Sequence, residues 1–328
     1  MKAVLLDGFG GTDVLRIGES DKPSPGRDQV LIKVMATSVN RPDIVQRQGN
    51  YRQPPGESDI LGLEVAGTIE ELGAGVEGWH PGERVMCLVA GGGYAEYALA
   101  YANHLMRIPE NMSFEEAACV CETYITAFLN IFMLGEFRDG EAALLHGGGG
   151  GVNTAAIQLC KVLTPAAKII VTASPAKSER VRQLGADCVV DYTSQDFAEE
   201  TMAFTNDRGV DLILDHIGAR YLAANMKALA VEGRLVIIGV MGGIKAELNL
   251  ALMMVKRQRI IGSVLRSRPV QQKAEITARF NDTVVPKLAE RTIVPLIHTV
   301  LPLERIADAH AMMEASKHFG KIVLKVSS

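Results

Sequence analysis

The chain has 328 residues, a formal net charge of −4 at pH 7, 48% hydrophobic residues and 5% aromatic ones. This length exceeds what one hydrophobic core serves, so two domains are expected, and the absence of a basic surplus excludes nucleic acid or an anionic membrane surface as the expected partner. Apolar stretches end short of membrane-spanning length, and Asp7 closes Met1–Leu6 too early for a signal-peptide core, so a cytoplasmic location is expected.

Lys2–Leu6 and Val30–Val34 read as strands separated by Gly/Pro turns such as Pro23-Ser24-Pro25-Gly26. Val65–Ile69, Arg84–Leu88 and Tyr94–Ala98 continue that rhythm, which predicts a strand-rich, partly barrel-like first domain. Glu115–Met133 is rich in helix formers and follows Ser113, an N-cap residue type. Strand candidates then alternate with helical patterns: Ala142–Leu145, Lys168–Thr172, Cys188–Val190, Val210–Leu214, Arg234–Ile238 and Arg259–Gly262. Such alternation predicts a doubly wound parallel α/β sheet. Helical patterns over Arg279–Glu290 and Glu304–Ala315, and a strand over Lys321–Lys325, add no further βα repeat and are assigned to the first domain. The expected division is therefore 1–122 with 267–328 around an inserted 123–266. Cys87, Cys119, Cys121, Cys160 and Cys188 form no C-x-x-C pair, and Cys119-x-Cys121 reads as buried packing.

The most telling stretch is Leu144-Leu145-His146 followed by five glycines, Gly147–Gly151, and then Val152-Asn153 and a helical pattern. Strand, glycine turn and helix form the context in which a dinucleotide pyrophosphate is bound: missing Cβ atoms admit the phosphates, and the helix N-terminus faces their charge. No register completes G-x-G-x-x-G, so a glycine-rich surface turn is the competing reading of the loop taken alone. About 20 residues on, an NAD site places an acid for the ribose 2′-hydroxyl. Val171–Ser178 contains none. Ser174 and Lys177 suit a 2′-phosphate instead, and Tyr192 adds a hydroxyl, so NADPH is the expected cofactor. For Lys177 alone the competing reading is a solvated lysine.

Several motifs together resemble the medium-chain dehydrogenase/reductases: Ser38–Asp43, Gln46–Tyr51, Leu61–Gly67, Gly82–Val85, Thr126–Phe128, the glycine loop, Leu214–Gly218, Gly233–Val236, Val264–Arg268 and Gly320–Leu324. Within these the chain is similar to the zinc-free NADPH:quinone oxidoreductases, the zeta-crystallin-like group. Its Leu265-Arg266-Ser267-Arg268 is similar to the tumour-suppressor-inducible subgroup in particular. The resemblance implies a Rossmann domain inserted into a GroES-like domain. Zinc-dependent alcohol dehydrogenases share the architecture but take a Cys where this chain has Asn40, a His where it has Leu63, and a Cys where Glu122 aligns. Neither an amide nor an aliphatic side chain replaces thiolate or imidazole at zinc, so no metal is expected. The family's glycine pattern is met by Gly148 and Gly151 but then by Asn153, which adds a Cβ and an amide capable of local hydrogen bonds.

From the resemblance, Asn40, Tyr51 and Thr126 are expected around nicotinamide and acceptor. Gly148, Gly151, Val152, Asn153, Ser174, Lys177, Tyr192, Gly239, Met241, Leu265, Arg266 and Phe319 are expected at the cofactor. Asp43 and Glu64 read as structural hydrogen-bonders, and His146 and His216 as packing or backbone-bonding residues. The implied activity is NADPH-dependent reduction of a quinone. A reductase of activated C=C bonds and an NADPH-binding structural or stress protein are the alternatives. Arg257–Ser263 reads as a sheet edge, which two-fold pairing into a homodimer would cover.

Overall fold

The computed structural model describes residues 1–327. It divides into two compact units, Met1–Ile125 together with the chain from Leu265 onward, and Thr126–Val264. The division falls three residues later and two earlier than the sequence placed it. Leu265 and Arg266 are buried within the first unit, where the Arg266 side chain bonds the Ala90 carbonyl.

Seven strands come first: β1 (Lys2–Leu6), β2 (Leu15–Glu19), β3 (Gln29–Ser38), β4 (Glu64–Leu72), β5 (Arg84–Leu88), β6 (Tyr97–Tyr101) and β7 (Leu105–Arg107). Helix α1 (Arg41–Arg47) lies between β3 and β4, while α2 (Phe114–Ala117) and α3 (Cys121–Phe128) follow β7. The predicted strand at Tyr94–Ala98 is corrected to Tyr97–Tyr101, and the Tyr94 ring turns inward, fully buried. The helix predicted over Glu115–Met133 is broken. Ser113 and Glu116 form a reciprocal capping box (3.1 and 3.0 Å), but α2 stops after one turn. After α3 the turns widen over Leu129–Leu134 into a π-helix, and at its start the Asn130 amide donates to the Thr126 carbonyl at 2.7 Å.

The second unit runs β8 (Ala142–His146), α4 (Gly151–Leu163), β9 (Lys168–Ala173), α5 (Pro175–Gln183), β10 (Cys188–Asp191), α6 (Phe197–Phe204), β11 (Val210–Asp215), α7 (Leu222–Ala228), β12 (Leu229–Ile237), α8 (Leu250–Lys256) and β13 (Arg259–Gly262). All six strands pair in parallel in the order β10-β9-β8-β11-β12-β13. The order reverses beside β8, so the loop after it lies at the topological switch point, where such sheets bind ligands. Leu144, Ile170, Ile213 and Leu235, from the four central strands, share one fully buried core. Strands buried on both faces are near-continuously apolar, which is why these segments stood out in the sequence.

The chain then returns to the first unit with α9 (Val270–Ala289), β14 (Ile297–Pro302), α10 (Ile306–Glu314) and β15 (Lys321–Lys325). The expected start of α9 at Arg279 is corrected to Val270. Its buried residues are Lys273, Ala274, Ile276, Thr277, Phe280, Val284 and Leu288, so polar residues hold two of the first four core positions and blur the pattern. The seven-stranded sheet has the order β14-β15-β3-β4-β5-β7. One edge of β3 carries β4, while the other is shared end to end by β6, on Gln29–Lys33, and β15, on Ala36–Ser38. That sharing places Lys321, at the start of β15, beside the end of β3. Among the described residues no helix is long and apolar enough to cross a membrane.

Candidate functional site

In the second unit the glycine loop is shaped by close approach. A Cβ at Gly148 would overlap Val171 and Val181, and one at Gly149 would overlap the Lys177 side chain, which lies across that residue. Gly147 has φ +81°, in the left-handed region. Its N–H donates to the Thr172 carbonyl and hydroxyl, both at 3.0 Å, and the Gly148 N–H adds a bond of 2.9 Å to the same carbonyl. The Asn153 amide donates to the carbonyls of His146 and Gly147, the local bonding its residue type allowed, while its Oδ1 is buried without a protein partner. The 13-residue α4 thus presents its N-terminal end at a loop free of side chains, with the Lys177 ammonium alongside. These features fit a dinucleotide pyrophosphate. Ser174 is the N-cap of α5, and both Ser174 and Lys177 are half-buried. Burial, then the neighbouring Arg180, pushes the Lys177 pKa down. No acid lies between Ala173 and Ser178.

Beneath the loop, His146 Nε2 meets Asn225 Oδ1 at 2.8 Å, and the Asn225 amide donates to Asp215 at 3.1 Å. The Asn225 oxygen requires a proton on Nε2. Burial holds the imidazole neutral with its pKa near 3, packed edge-on against Phe197 and Tyr221. Asp215 in turn receives the N–H groups of Ile217 and Gly218, and burial lifts its pKa to about 6. His216 borders Gly147.

The first unit carries a buried polar cluster built on Glu64. Its Oε1 accepts from Ser38 Oγ (2.6 Å), Asn40 Nδ2 (2.9 Å) and Lys321 Nζ (2.9 Å), and its Oε2 accepts from the Glu122 N–H (2.9 Å). Lys321 also donates to Asn40 Oδ1 at 2.5 Å. An ammonium therefore fills the space between the Asn40 amide oxygen and the Glu64 carboxylate. Asp43 accepts from the Asn40 N–H (2.8 Å), the Tyr94 hydroxyl (2.9 Å) and the Gly62 N–H (3.2 Å), and burial raises its pKa to about 6. Glu122 is pushed to about 8, by burial first and by the Glu64 charge second, against the pull of Lys321. Tyr51 lies under the Arg266 guanidinium, 5.1 Å from it, with its own pKa raised by burial and then by Glu122. Among the described residues no group of three or more His, Cys, Asp and Glu could hold a metal ion.

Asn40, Tyr51, Leu265, Arg266 and Phe319 thus belong to the first unit. Thr126, Gly148, Gly151, Val152, Asn153, Ser174, Lys177, Tyr192, Gly239 and Met241 belong to the second. Tyr192 and Met241 are exposed, whereas Phe319 is buried. The sequence reading passed over Lys321 and Glu122 as chemistry. A lysine at the head of an apolar strand was the available signal for the first.

Replacing Lys321 with Met strands the fully buried Glu64 charge and should cost about 3–5 kcal/mol in urea unfolding, much of it restored by Glu64→Gln in the same chain. Glu122 gives a pH signature. Its carboxyl ionises near 4.5 ordinarily and near 8 in the fold, so the fold holds the proton longer. Stability should therefore fall as pH rises across that window, and Glu122→Gln should flatten the decline in pH-dependent melting.

Two family models match the chain: an alcohol dehydrogenase GroES-like domain over residues 26–110 and a zinc-binding dehydrogenase over 184–324. The quinone oxidoreductase of Rattus norvegicus is 32% identical, over 99% of this chain and 97% of that protein. Among solved structures, an NAD-dependent alcohol dehydrogenase superposes with a TM-score of 0.87 at 31% identity, with full coverage of both chains. A mycobacterial protein, Rv1454c, complexed with NADPH gives a TM-score of 0.89 at 27% identity, covering 99% of this chain and 100% of that one. Its α/β architecture, a GroES-like unit with an inserted Rossmann unit, and its full-length likeness to the quinone oxidoreductases agree: the chain belongs to the quinone oxidoreductase family of the medium-chain dehydrogenase/reductase superfamily.

Proposed function

We propose that the chain is an NADPH-dependent, zinc-independent quinone reductase. The observation that carries this reading is the Lys321 ammonium lodged against Asn40 and Glu64, beside Leu63 and Glu122. An amide, a leucine and a buried ammonium are not a donor set for zinc. Stoichiometric zinc in the purified protein would overturn that part. A quinone is electrophilic without a metal, so the protein has only to bind it, orient it and offer hydrogen bonds to the oxygen that gains charge.

The reduced nicotinamide, when bound, supplies hydride or single electrons to the acceptor. Gly148, Gly151, Val152 and Asn153 would hold the pyrophosphate at the head of α4. Ser174, Lys177 and Tyr192 would take the 2′-phosphate, with Gly239 and Met241 along the cofactor and Thr126 at the carboxamide. In the first unit Asn40 is locked by Lys321 and Glu64, so its amide is a fixed orienting group, and Tyr51 offers a hydroxyl donor. Leu265, Arg266 and Phe319, which the resemblance put at the cofactor, sit in the first unit.

With NADPH oxidation as the readout, naphthoquinone and ortho-quinones should be reduced at least tenfold more efficiently in kcat/KM than alkenals. The opposite ranking would favour a C=C reductase, and tight NADPH binding without turnover would favour a structural role. Lys177→Ala should weaken NADPH about tenfold by fluorescence titration and leave NADH unchanged, since the 2′-phosphate alone distinguishes them; equal losses would remove the NADPH assignment. We also infer a homodimer joined at the β13 edge, supported by the exposed Leu250, Met254 and Val255 on the adjacent α8. Sedimentation at micromolar concentration should give twice the chain mass, and a monomer would dismiss the pairing.

A further inference from the structure

Five Arg or Lys side chains are buried in the described structure: Arg47, Arg234, Arg266, Lys273 and Lys321. Three of them pair with carboxylates, Arg47 with Glu314 (2.5 Å), Arg234 with Glu141 (2.6 Å) and Lys321 with Glu64 (2.9 Å). Arg266 and Lys273, both in the first unit and 6% and 7% exposed, have no such partner among the described residues. Arg266 spends Nε and Nη2 on one acceptor, the Ala90 carbonyl (2.8 and 2.6 Å), and its Nη1 is buried with no partner at all. Lys273 Nζ reaches only the Arg266 carbonyl, at 3.5 Å, beyond an ordinary hydrogen bond.

Their placement adds to the imbalance. Lys273 lies in the first turn of the 20-residue α9, where the helix dipole opposes a cation, and the two charges repel each other. Burying a charge without a partner is costly, so a site that keeps two has a use for them. Lys273 lines a cavity of about 160 Å³ together with Ser58, Ala90, Gly91, Gly92 and His104. His104 also lines it, with Nε2 donating to the Val270 carbonyl (2.9 Å); burial lowers its pKa against the pull of that bond, and the Lys273 charge lowers it further. Asp21 and Glu57 also border the cavity; the Glu57 field favours both cations, but it bonds neither of them.

We propose that this cavity is a binding site for a small oxyanion, of the size of acetate or phosphate, held by the Lys273 ammonium in the positive field shared with Arg266. The volume is about ten times what a single water needs, so it admits a small hydrated oxyanion without strain. Since Arg266 also stacks on Tyr51, an anion here would offset the positive potential beneath that ring.

The test is thermal unfolding of the full chain at constant ionic strength, with sodium acetate or inorganic phosphate replacing chloride. The wild type should gain a Tm rise over chloride that grows as ln(1 + [L]/Kd), with Kd in the millimolar range. Lys273→Arg should keep the rise. Lys273→Met should lose it, yet be at least as stable as wild type in chloride, because an unpaired buried cation has been removed. No rise over chloride would mean a hydrated lysine only. The same rise in Lys273→Met would place the anion elsewhere, the glycine loop being the obvious alternative. Should Lys273→Met not fold, wild-type crystals soaked in selenate decide the matter: an anomalous peak at Lys273 Nζ supports the site, and its absence there overturns it.

Discussion

The first unit depends on one buried ion pair. Glu64, at the start of β4, is fully enclosed and receives four donors, and Lys321, at the start of β15, is the only one that brings a full positive charge. The pair joins residues 257 positions apart, the return segment to the opening sheet. It can form because β3 shares one edge between β6 and β15, which sets the head of β15 next to Asn40 at the end of β3. Such a pair adds little net stability over a well-packed apolar alternative, but it punishes the loss of either member and so fixes geometry. What it fixes is the Asn40 amide, whose oxygen and nitrogen are both committed.

The second unit is organised by backbone rather than by charge. Parallel strands in the order β10-β9-β8-β11-β12-β13 force a reversal at β8, and the loop there is kept bare by glycines, of which Gly148 has no room for a side chain beside Val171 and Val181. Its polar underside, His146 to Asn225 to Asp215, is satisfied internally. Burial holds the His146 imidazole neutral to about pH 3, so His146 itself carries no charge beneath the loop in the physiological range.

Much of this architecture was legible in the sequence, for identifiable reasons. Doubly buried strands leave continuous apolar runs, so five of the six strands of the second unit were found to within one residue of their ends, while β12 begins at Leu229, five residues before the expected Arg234, across an exposed Val231-Glu232. The turn after β8 announced itself through five glycines, and the missing acid before Lys177 was visible by inspection. What escaped depended on contacts distant in sequence or on polar residues used as core. Neither the break between α2 and α3 nor the π-turns after α3, where the Asn130 amide donates to the Thr126 carbonyl, is registered by helix propensity. The early start of α9 was masked because Lys273 and Thr277 face inward. Tyr94 looked like a strand residue, but it is the hydroxyl donor to Asp43. Lys321 looked like the polar leader of a strand, and nothing local reveals that its partner is Glu64.

Asn153 is the residue that departs from the expected glycine, and its amide clasps the carbonyls on either side of the strand-to-loop junction. A turn fastened in this way has already surrendered its conformational freedom during folding. Whatever docks against it meets a rigid receptor and need not spend part of its interaction energy on ordering the chain, an advantage of preorganisation that the extra side chain, rather than its absence, provides here.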